Sequence, residues 1–227
     1  MDEQVGTLGS SPLFAALDPE AQTALRETME ELRLSRGQTL FNEGDPGDRL
    51  YVVTQGKIKL GRTAADGREN LLAVMGPGEM FGELSLFDPG PRTASAAAIT
   101  GATLLGLGHD DLEPLLTQRP EVASRLLAAL ARRLRRTNEA MADLVFSDVP
   151  GRVAKALLDL AKRFGVEVED GLRVTHDLTQ EELAQLVGAS RETVNKALAD
   201  FASRGFLRLE GRAVVILDVE RLSRRAA

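Results

Sequence analysis

Between Arg119 and Phe146 the chain carries no glycine, and its one proline, Pro120, stands at the start of the segment. Within it Leu127, Leu130, Leu134, Thr137, Met141 and Leu144 follow one another at alternating intervals of three and four. That is the a/d spacing of a coiled-coil seam held for about three heptads. A helix with such a stripe needs a second apolar surface, and its natural partner is the same helix of a second chain, so the spacing predicts a homodimer. Thr137 is the polar interruption, and a polar group in a seam can fix register. The neighbouring Arg132, Arg133, Arg135 and Arg136 read first as a solvated helix face, with ligand or interchain contacts as the other reading.

On the amino-terminal side the period changes. Asp18-Pro19 is an N-cap followed by proline at the first helical position, and Leu25, Met29 and Leu32 continue at helical spacing, which predicts a short amphipathic helix over 18–32. From Gln38 to about Leu107 short apolar runs such as Leu50–Val53, Ile58–Leu60, Leu71–Met75 and Ala102–Leu105 alternate with Gly44–Asp48, Asp66-Gly67 and Gly76–Gly78. Those breaks supply the backbone angles of tight turns, so the segment is expected to form a β-roll (jelly roll) of about eight short strands.

On the carboxyl-terminal side, Ser147–Gly151 interrupts the helical pattern with a proline and a glycine, and the pattern resumes from Arg152 to Phe164. Thr179-Gln180-Glu181-Glu182 is a capping box that opens a helix, Gly188 permits a turn, and Ser190 caps a second helix. The first helix should bury Leu183, Leu186 and Val187, and the second Val194, Ala197, Leu198 and Phe201. Leu172–Val174 is expected as a strand, and Phe206–Leu217 as a hairpin turning at Glu210–Arg212. Strands beside a helical pair make a winged helix-turn-helix, whose second helix enters the DNA major groove by its first residues. Thr179 and Gln180 open the first helix; Arg191, Glu192, Asn195 and Lys196 share the polar face of the second. Arg can hold guanine bidentately and Glu can accept from cytosine, while Ser190 and Thr193 suit phosphates. An ordinary charged surface helix is the competing reading.

Taken together, the expected class is α+β, in three parts: a β-roll over 1–117, a dimerisation helix over 118–147 and a winged helix-turn-helix over 148–227. Charge is spread accordingly, at −9, +3 and 0 for these parts within a net −6, so a polyanion would be met by the carboxyl-terminal half. The chain has no cysteine and only two histidines, His109 and His176, far apart. That argues against metal, haem or iron–sulfur chemistry. No secretion signal or apolar run near the ~20 residues of a membrane span is evident, so the expectation is a cytoplasmic protein without a membrane partner.

The stretch "FGELSLFDPGPRTASA" (residues 81–96) sets one acid, Glu83, and one base, Arg92, among glycine, proline and small or apolar residues. Gly82–Ser85 reads as the start of a short helix with free amides. Arg92 with the Thr93 hydroxyl suits a singly charged phosphodiester, and Glu83 suits a sugar hydroxyl. A buried Glu83–Arg92 ion pair stapling a loop is equally compatible with the spacing. One carboxylate without a histidine does not make an acid–base set, so no enzyme is expected.

This stretch resembles the phosphate-binding cassette of cyclic-nucleotide-binding domains. "LTQEELAQLVGASRETVNKALADF" resembles the helix-turn-helix of the CRP/FNR transcription regulators. The resemblance runs from about residue 12 to 225, includes "ARRLRRTN" and "DVPGRVAKALLDLA", and is nearest the actinobacterial branch of cyclic-AMP receptors. It implies cAMP as allosteric ligand, double-stranded DNA with half-sites close to TGTGA, and RNA polymerase as a partner. By the same resemblance Gly82, Leu84 and Ser85 present the cassette, Arg92 and Thr93 hold the cyclic phosphate, and Glu83 takes the ribose hydroxyl. Arg133 supports the acid, and Thr137 and Asn138 meet adenine from the two chains. The best-known pattern of the family has serine where Asn138 stands; an amide both donates and accepts, which suits adenine. Ligand at the seam would then bias helix packing and, through the 148–151 hinge, the spacing of two recognition helices.

Overall fold

The computed structural model describes residues 9, 11–15, 17–88 and 90–226. The amino-terminal residues read above for an export signal lie almost wholly outside these. The chain divides into two compact units, Met1–Arg62 with Leu72–Arg136 and Thr63–Leu71 with Thr137–Ala227.

The first unit opens with α1 (Pro19–Thr28), where the Asp18 carboxylate accepts from the Ala21 N–H. Here the expected helix is corrected. It stops at Thr28, Met29 is extended, and Leu32 belongs to strand β1 (Glu30–Leu34). Five residues of β1 pair antiparallel with β8 (Ala102–Gly108), from Glu30 opposite Gly106 to Leu34 opposite Ala102. Helical spacing is a weak prior, and a full ladder of long-range pairing overrides it.

Between them run β2 (Thr39–Phe41), β3 (Arg49–Gln55), β4 (Ile58–Thr63), β5 (Glu69–Met75), β6 (Met80–Phe81), α2 (Leu84–Phe87) and β7 (Ser95–Ala98). Two four-stranded sheets result, β1-β8-β3-β6 and β2-β7-β4-β5. They enclose a core of Tyr51, Val53, Ile58, Leu60, Phe81, Ala96, Ala98 and Leu104. The eight strands answer the β-roll expectation.

Two helices follow, α3 (His109–Gln118) and α4 (Pro120–Phe146). The sequence reading did not single out α3, because Pro114 sits inside it and proline is unfavourable there. Burial of Leu112 holds it against the roll, in a second core with Leu50, Leu105, Leu107, Val122 and Leu126. Beyond Leu126 the seam turns outward: Leu127, Leu134, Met141 and Leu144 are 55–66% exposed.

In the second unit α5 (Val149–Phe164) starts three residues earlier than the expected Arg152. Proline and glycine do not lengthen the break, because both lie in the first turn, where a missing N–H is harmless. The Asp148 carboxylate accepts from the Gly151 N–H at 2.9 Å, and the break shrinks to Ser147 and Asp148. Then come β9 (Gly165–Val168), β10 (Gly171–Thr175), α6 (Gln180–Val187), α7 (Arg191–Ser203), β11 (Leu207–Glu210), β12 (Ala213–Ile216) and α8 (Val219–Ala226). The sheet order is β11-β12-β10-β9. Val153, Leu157, Val174, Leu183, Val194, Leu198, Phe201, Leu207, Ile216 and Leu222 are buried. The strand β9 went unread, since four residues of Gly-Val-Glu-Val carry too little pattern of their own.

Candidate functional site

Two regions gather the polar residues singled out above. In the first unit the chain leaves β6 at Gly82, whose φ of +80° only glycine adopts cheaply. A Cβ there would also stand 2.9 Å from Arg92 Nη1 and 3.2 Å from the Arg49 carbonyl oxygen. This turn delivers Glu83, 0% exposed, to the head of the four-residue helix α2, where its carbonyl accepts from the Leu86 and Phe87 amides at 3.0 Å. The Glu83 Oε1 accepts from Arg133 Nη1 of α4 at 2.7 Å. Its Oε2 is buried with no hydrogen-bond partner.

Arg92, 4% exposed, does not pair with Glu83. Its Nη1 donates to the carbonyls of Arg49 at 2.9 Å and Gly82 at 3.0 Å, and its Nε is buried without a partner. The guanidinium carbon lies 4.3 Å from the centre of the Phe41 ring and 5.6 Å from that of Tyr51. A weakly hydrated planar cation tolerates that apolar seat. Burial also pushes the Tyr51 hydroxyl up. The ion-pair alternative is therefore corrected: the acid has a partner fifty residues away on α4, and the base is held by backbone.

The loop Gly44–Asp48 lies across Arg92, with the Arg92 N–H donating to the Asp45 carbonyl and the Gly44 N–H donating to the Arg92 carbonyl, both at 2.8 Å. Gly47, read from the sequence only as a turn residue, is the closest approach: a Cβ there would meet Ser85 Cβ at 2.3 Å, Ser85 Oγ at 2.5 Å and Arg92 Nε at 3.1 Å. Nothing local in the sequence marks that role, because it depends on two segments meeting. Ser85 is buried, whereas Leu84 and Thr93 are exposed. Thr137 and Asn138 follow Arg133 by about one helical turn along α4, and both are exposed.

Buried polar atoms without partners are rare and call for an explanation. Carboxylate oxygen only accepts and guanidinium nitrogen only donates. A molecule that satisfied both would bring a hydrogen-bond donor toward Glu83 and an acceptor toward Arg92, and a hydroxyl with an anionic oxygen fits those two atoms.

The second region is the helical pair of the second unit. The capping box is complete: the Thr179 Oγ1 accepts from the Glu182 N–H at 3.1 Å, and the Glu182 Oε2 accepts from the Thr179 N–H at 2.8 Å. Because the Thr179 hydroxyl also donates to Glu182 Oε2 at 3.0 Å, its side chain is already committed to the cap. Gly188, at φ +67°, ends α6, and Ser190 caps α7 by accepting from the Thr193 N–H at 3.2 Å. The face of α7 formed by Val194, Ala197, Leu198 and Phe201 is buried as expected. On α6 it is Ala184 rather than Leu186 that joins Leu183 and Val187, with Leu186 half-buried.

Arg191, Glu192, Thr193 and Lys196 are exposed at the start of α7. Lys196 Nζ lies 2.7 Å from Glu192 Oε1 one turn away. Beside them is a cleft of about 320 Å³ lined by Leu178, Thr179, Gln180, Glu181, Arg191 and Arg212. Arg212 of the β11–β12 turn enters through this cleft; the sequence placed it only in a turn. Buried His176 accepts the Leu178 N–H at its Nδ1, 3.1 Å away, which is a structural use of that ring.

At the break before α5, Arg152 donates to the carbonyls of Ser147 (2.7 Å), Val187 (3.0 Å) and Gly188 (3.3 Å). Arg225 of α8 donates to Asp148 Oδ2 at 2.6 Å; with the Gly151 N–H, it holds the Asp148 carboxyl below its ordinary range.

Comparison with known proteins adds two family matches. Residues 31–119 match the cyclic nucleotide-binding domain, and residues 151–225 match the Crp-like helix-turn-helix domain. The chain is 59% identical to a CRP-like cAMP-activated global transcriptional regulator of Mycobacterium tuberculosis over the whole of both chains. It is 41% identical to the cyclic AMP receptor protein of Thermus thermophilus, covering 88% of this chain and 89% of that one. Among solved structures, the catabolite activator protein of Thermus thermophilus aligns over 95% of this chain and 98% of its own, at 39% identity and a TM-score of 0.56.

Proposed function

The chain belongs to the CRP/FNR family of transcription regulators, and we propose that it is a cAMP-responsive homodimer that binds a palindromic DNA site with half-sites close to TGTGA. The observation that carries this reading is the pair of buried, unpartnered atoms, Glu83 Oε2 and Arg92 Nε, in a chain that also presents a capped helix-turn-helix.

A 3′,5′-cyclic nucleotide keeps its ribose 2′-hydroxyl and carries one phosphodiester charge, so it offers the donor and the anion the two atoms lack. Arg92 and Thr93 hold the phosphate, with Gly82, Leu84 and Ser85 shaping the cassette. Glu83, oriented by Arg133, accepts from the ribose. Thr137 and Asn138 meet the base, the second from the partner chain. Residues 1–117, 118–147 and 148–227 divide the work into sensor, dimer helix and DNA reader.

The exposed seam supports dimerisation, since covering each leucine is worth about 1.5–3 kcal/mol. Sedimentation of Leu134→Glu should then show monomers. Two recognition helices enter successive major grooves when about 34 Å apart. Ligand at the seam shifts that spacing through the short break at Ser147-Asp148. Arg191, Glu192 and Lys196 face bases, with Gln180, Ser190, Thr193 and the committed cap Thr179 at phosphates. The product of the switch is altered DNA occupancy, read by RNA polymerase in the cytoplasm, with no catalytic step.

The test is to titrate cAMP and cGMP while measuring binding to a TGTGA palindrome and to a scrambled duplex at fixed salt. The expected result is cAMP-dependent tightening on the palindrome alone. Equal response on both duplexes would refute the reading.

A further inference from the structure

Among the polar residues at the mouth of the helix-turn-helix, one contact joins the starts of both helices. Gln180, first residue of α6, accepts through Oε1 from Asn195 Nδ2 at 3.0 Å and from Arg191 Nη2 at 3.4 Å. Arg191 and Asn195 are one turn apart on α7, so the glutamine closes a triangle across the two helices.

The polarity of this triangle is forced. A guanidinium only donates, so the Gln180 atom facing Arg191 is the oxygen. That oxygen in turn requires the Asn195 atom facing it to be the amide nitrogen. The consequence is visible on the far side of Asn195, where Oδ1 is left buried with no hydrogen-bond partner. A buried acceptor without a partner is unfavourable, and a free-standing asparagine would turn to relieve it. The bare oxygen is the cost of keeping Nδ2 on the Gln180 side.

We infer that Gln180 is a positioning residue for base readout: anchored by Asn195, it presets the Arg191 guanidinium before DNA arrives. A planar fork gains most from a bidentate base contact when it need not be ordered on binding. The neighbouring pair Glu192–Lys196 leaves Arg191 alone, so the glutamine is the side chain that fixes it. The inference rests on the base-reading role proposed for Arg191.

The experiment uses the full-length protein with cAMP and a set of duplexes carrying single substitutions at each half-site position, at fixed salt. Arg191→Ala first identifies the position Arg191 reads, as the one where preference flattens. Gln180→Ala should flatten preference at that same position about fivefold or more, the lower end of one readout contact, and at no other. In the Arg191→Ala background it should add nothing there. Gln180→Glu keeps the acceptor and should retain the preference while weakening all duplexes alike, through repulsion of phosphate. It also serves if Gln180→Ala does not fold. Asn195→Leu, which keeps the volume and removes the donor, should flatten the same position.

If Gln180→Ala weakens every duplex by one factor, additively with Arg191→Ala, the glutamine is only a backbone contact and the inference fails. Loss of preference in folded Gln180→Glu, or an unchanged profile for Asn195→Leu, overturns it too. If Arg191→Ala itself changes no ratio, the base-reading proposal falls, and this inference with it.

Discussion

The cassette around Glu83 and Arg92 and the exposed start of α7 are both built from an acid, a base and small hydroxyl residues, yet they solve opposite problems. In the cassette the charges are buried and incompletely satisfied: Glu83 keeps Arg133 and Arg92 keeps two backbone carbonyls, while each has a buried atom without a partner. On α7 the charges are exposed and have partners close by, Glu192 in Lys196 one turn on and Arg191 in the neutral Gln180 of α6. The first arrangement is costly while two buried polar atoms lack partners, and on the proposed reading the cyclic nucleotide supplies them. The second is cheap in water and can exchange its internal partners for groove edges and phosphates.

Removing a group should therefore hurt more in the cassette than on the helix, and four substitutions test that ordering. Arg92→Ala removes the group that on the proposed reading makes a charge-assisted pair of contacts to phosphate, each worth about 1.5–3 kcal/mol, and should weaken cyclic-nucleotide binding at least a hundredfold by calorimetry. Unchanged affinity would end the comparison at once. Next, Arg133→Ala strips Glu83 of the cation beside it and leaves a buried carboxylate. Urea unfolding should show a loss of about 3 kcal/mol without ligand, and a loss below 1 would mean that the pocket is far wetter than its burial indicates. For the helix, Glu192→Ala should lose about 1–3 kcal/mol of discrimination at a single base pair. An equal loss on every sequence would make it a general electrostatic contact.

The smallest effect belongs to Asp148, whose carboxylate is exposed and already paired, and so should matter to stability alone. Asp148→Ala is expected to lose about 1 kcal/mol, as for other N-caps, with DNA specificity unchanged. Arg225 and the Gly151 amide hold this carboxyl below its ordinary value. A depressed value means that the contribution is fully present above about pH 4, the unfolded range, and is lost as pH falls through the folded value. The stability gap between parent and Asp148→Ala should accordingly close in acid unfolding measurements. A gap constant down to pH 2 would show that the carboxylate contributes nothing through its charge.

Much of this was legible before any coordinates. The capping box at Thr179, the turn at Gly188 and the cap at Ser190 are local signals, each complete within about four residues, and the seam of α4 is a regular spacing repeated along a single helix. The eight strands were legible as a class, because turns at Gly44, Gly67 and Gly78 are fixed by backbone geometry that a side chain would strain. Failures came where local preference met a distant partner or where a breaker residue fell within the first turn of a helix. Leu32 has the spacing of α1 but lies opposite Leu104; Pro114 disguises α3, which Leu112 holds by burial; Pro150 and Gly151 look like a break and sit inside a helix.

The sequence by itself determined the order of parts, the period of each, and the residue types at both sites, because propensity, capping and turn chemistry act over a few bonds. Tertiary structure decided which charges pair. Glu83 finds Arg133 rather than Arg92, Gly47 closes on Ser85, and Gln180 reaches across to Asn195. The reason is physical: burial and hydrogen-bond saturation depend on which segments meet in space, and an unpaired atom has no signature until its surroundings are assembled around it.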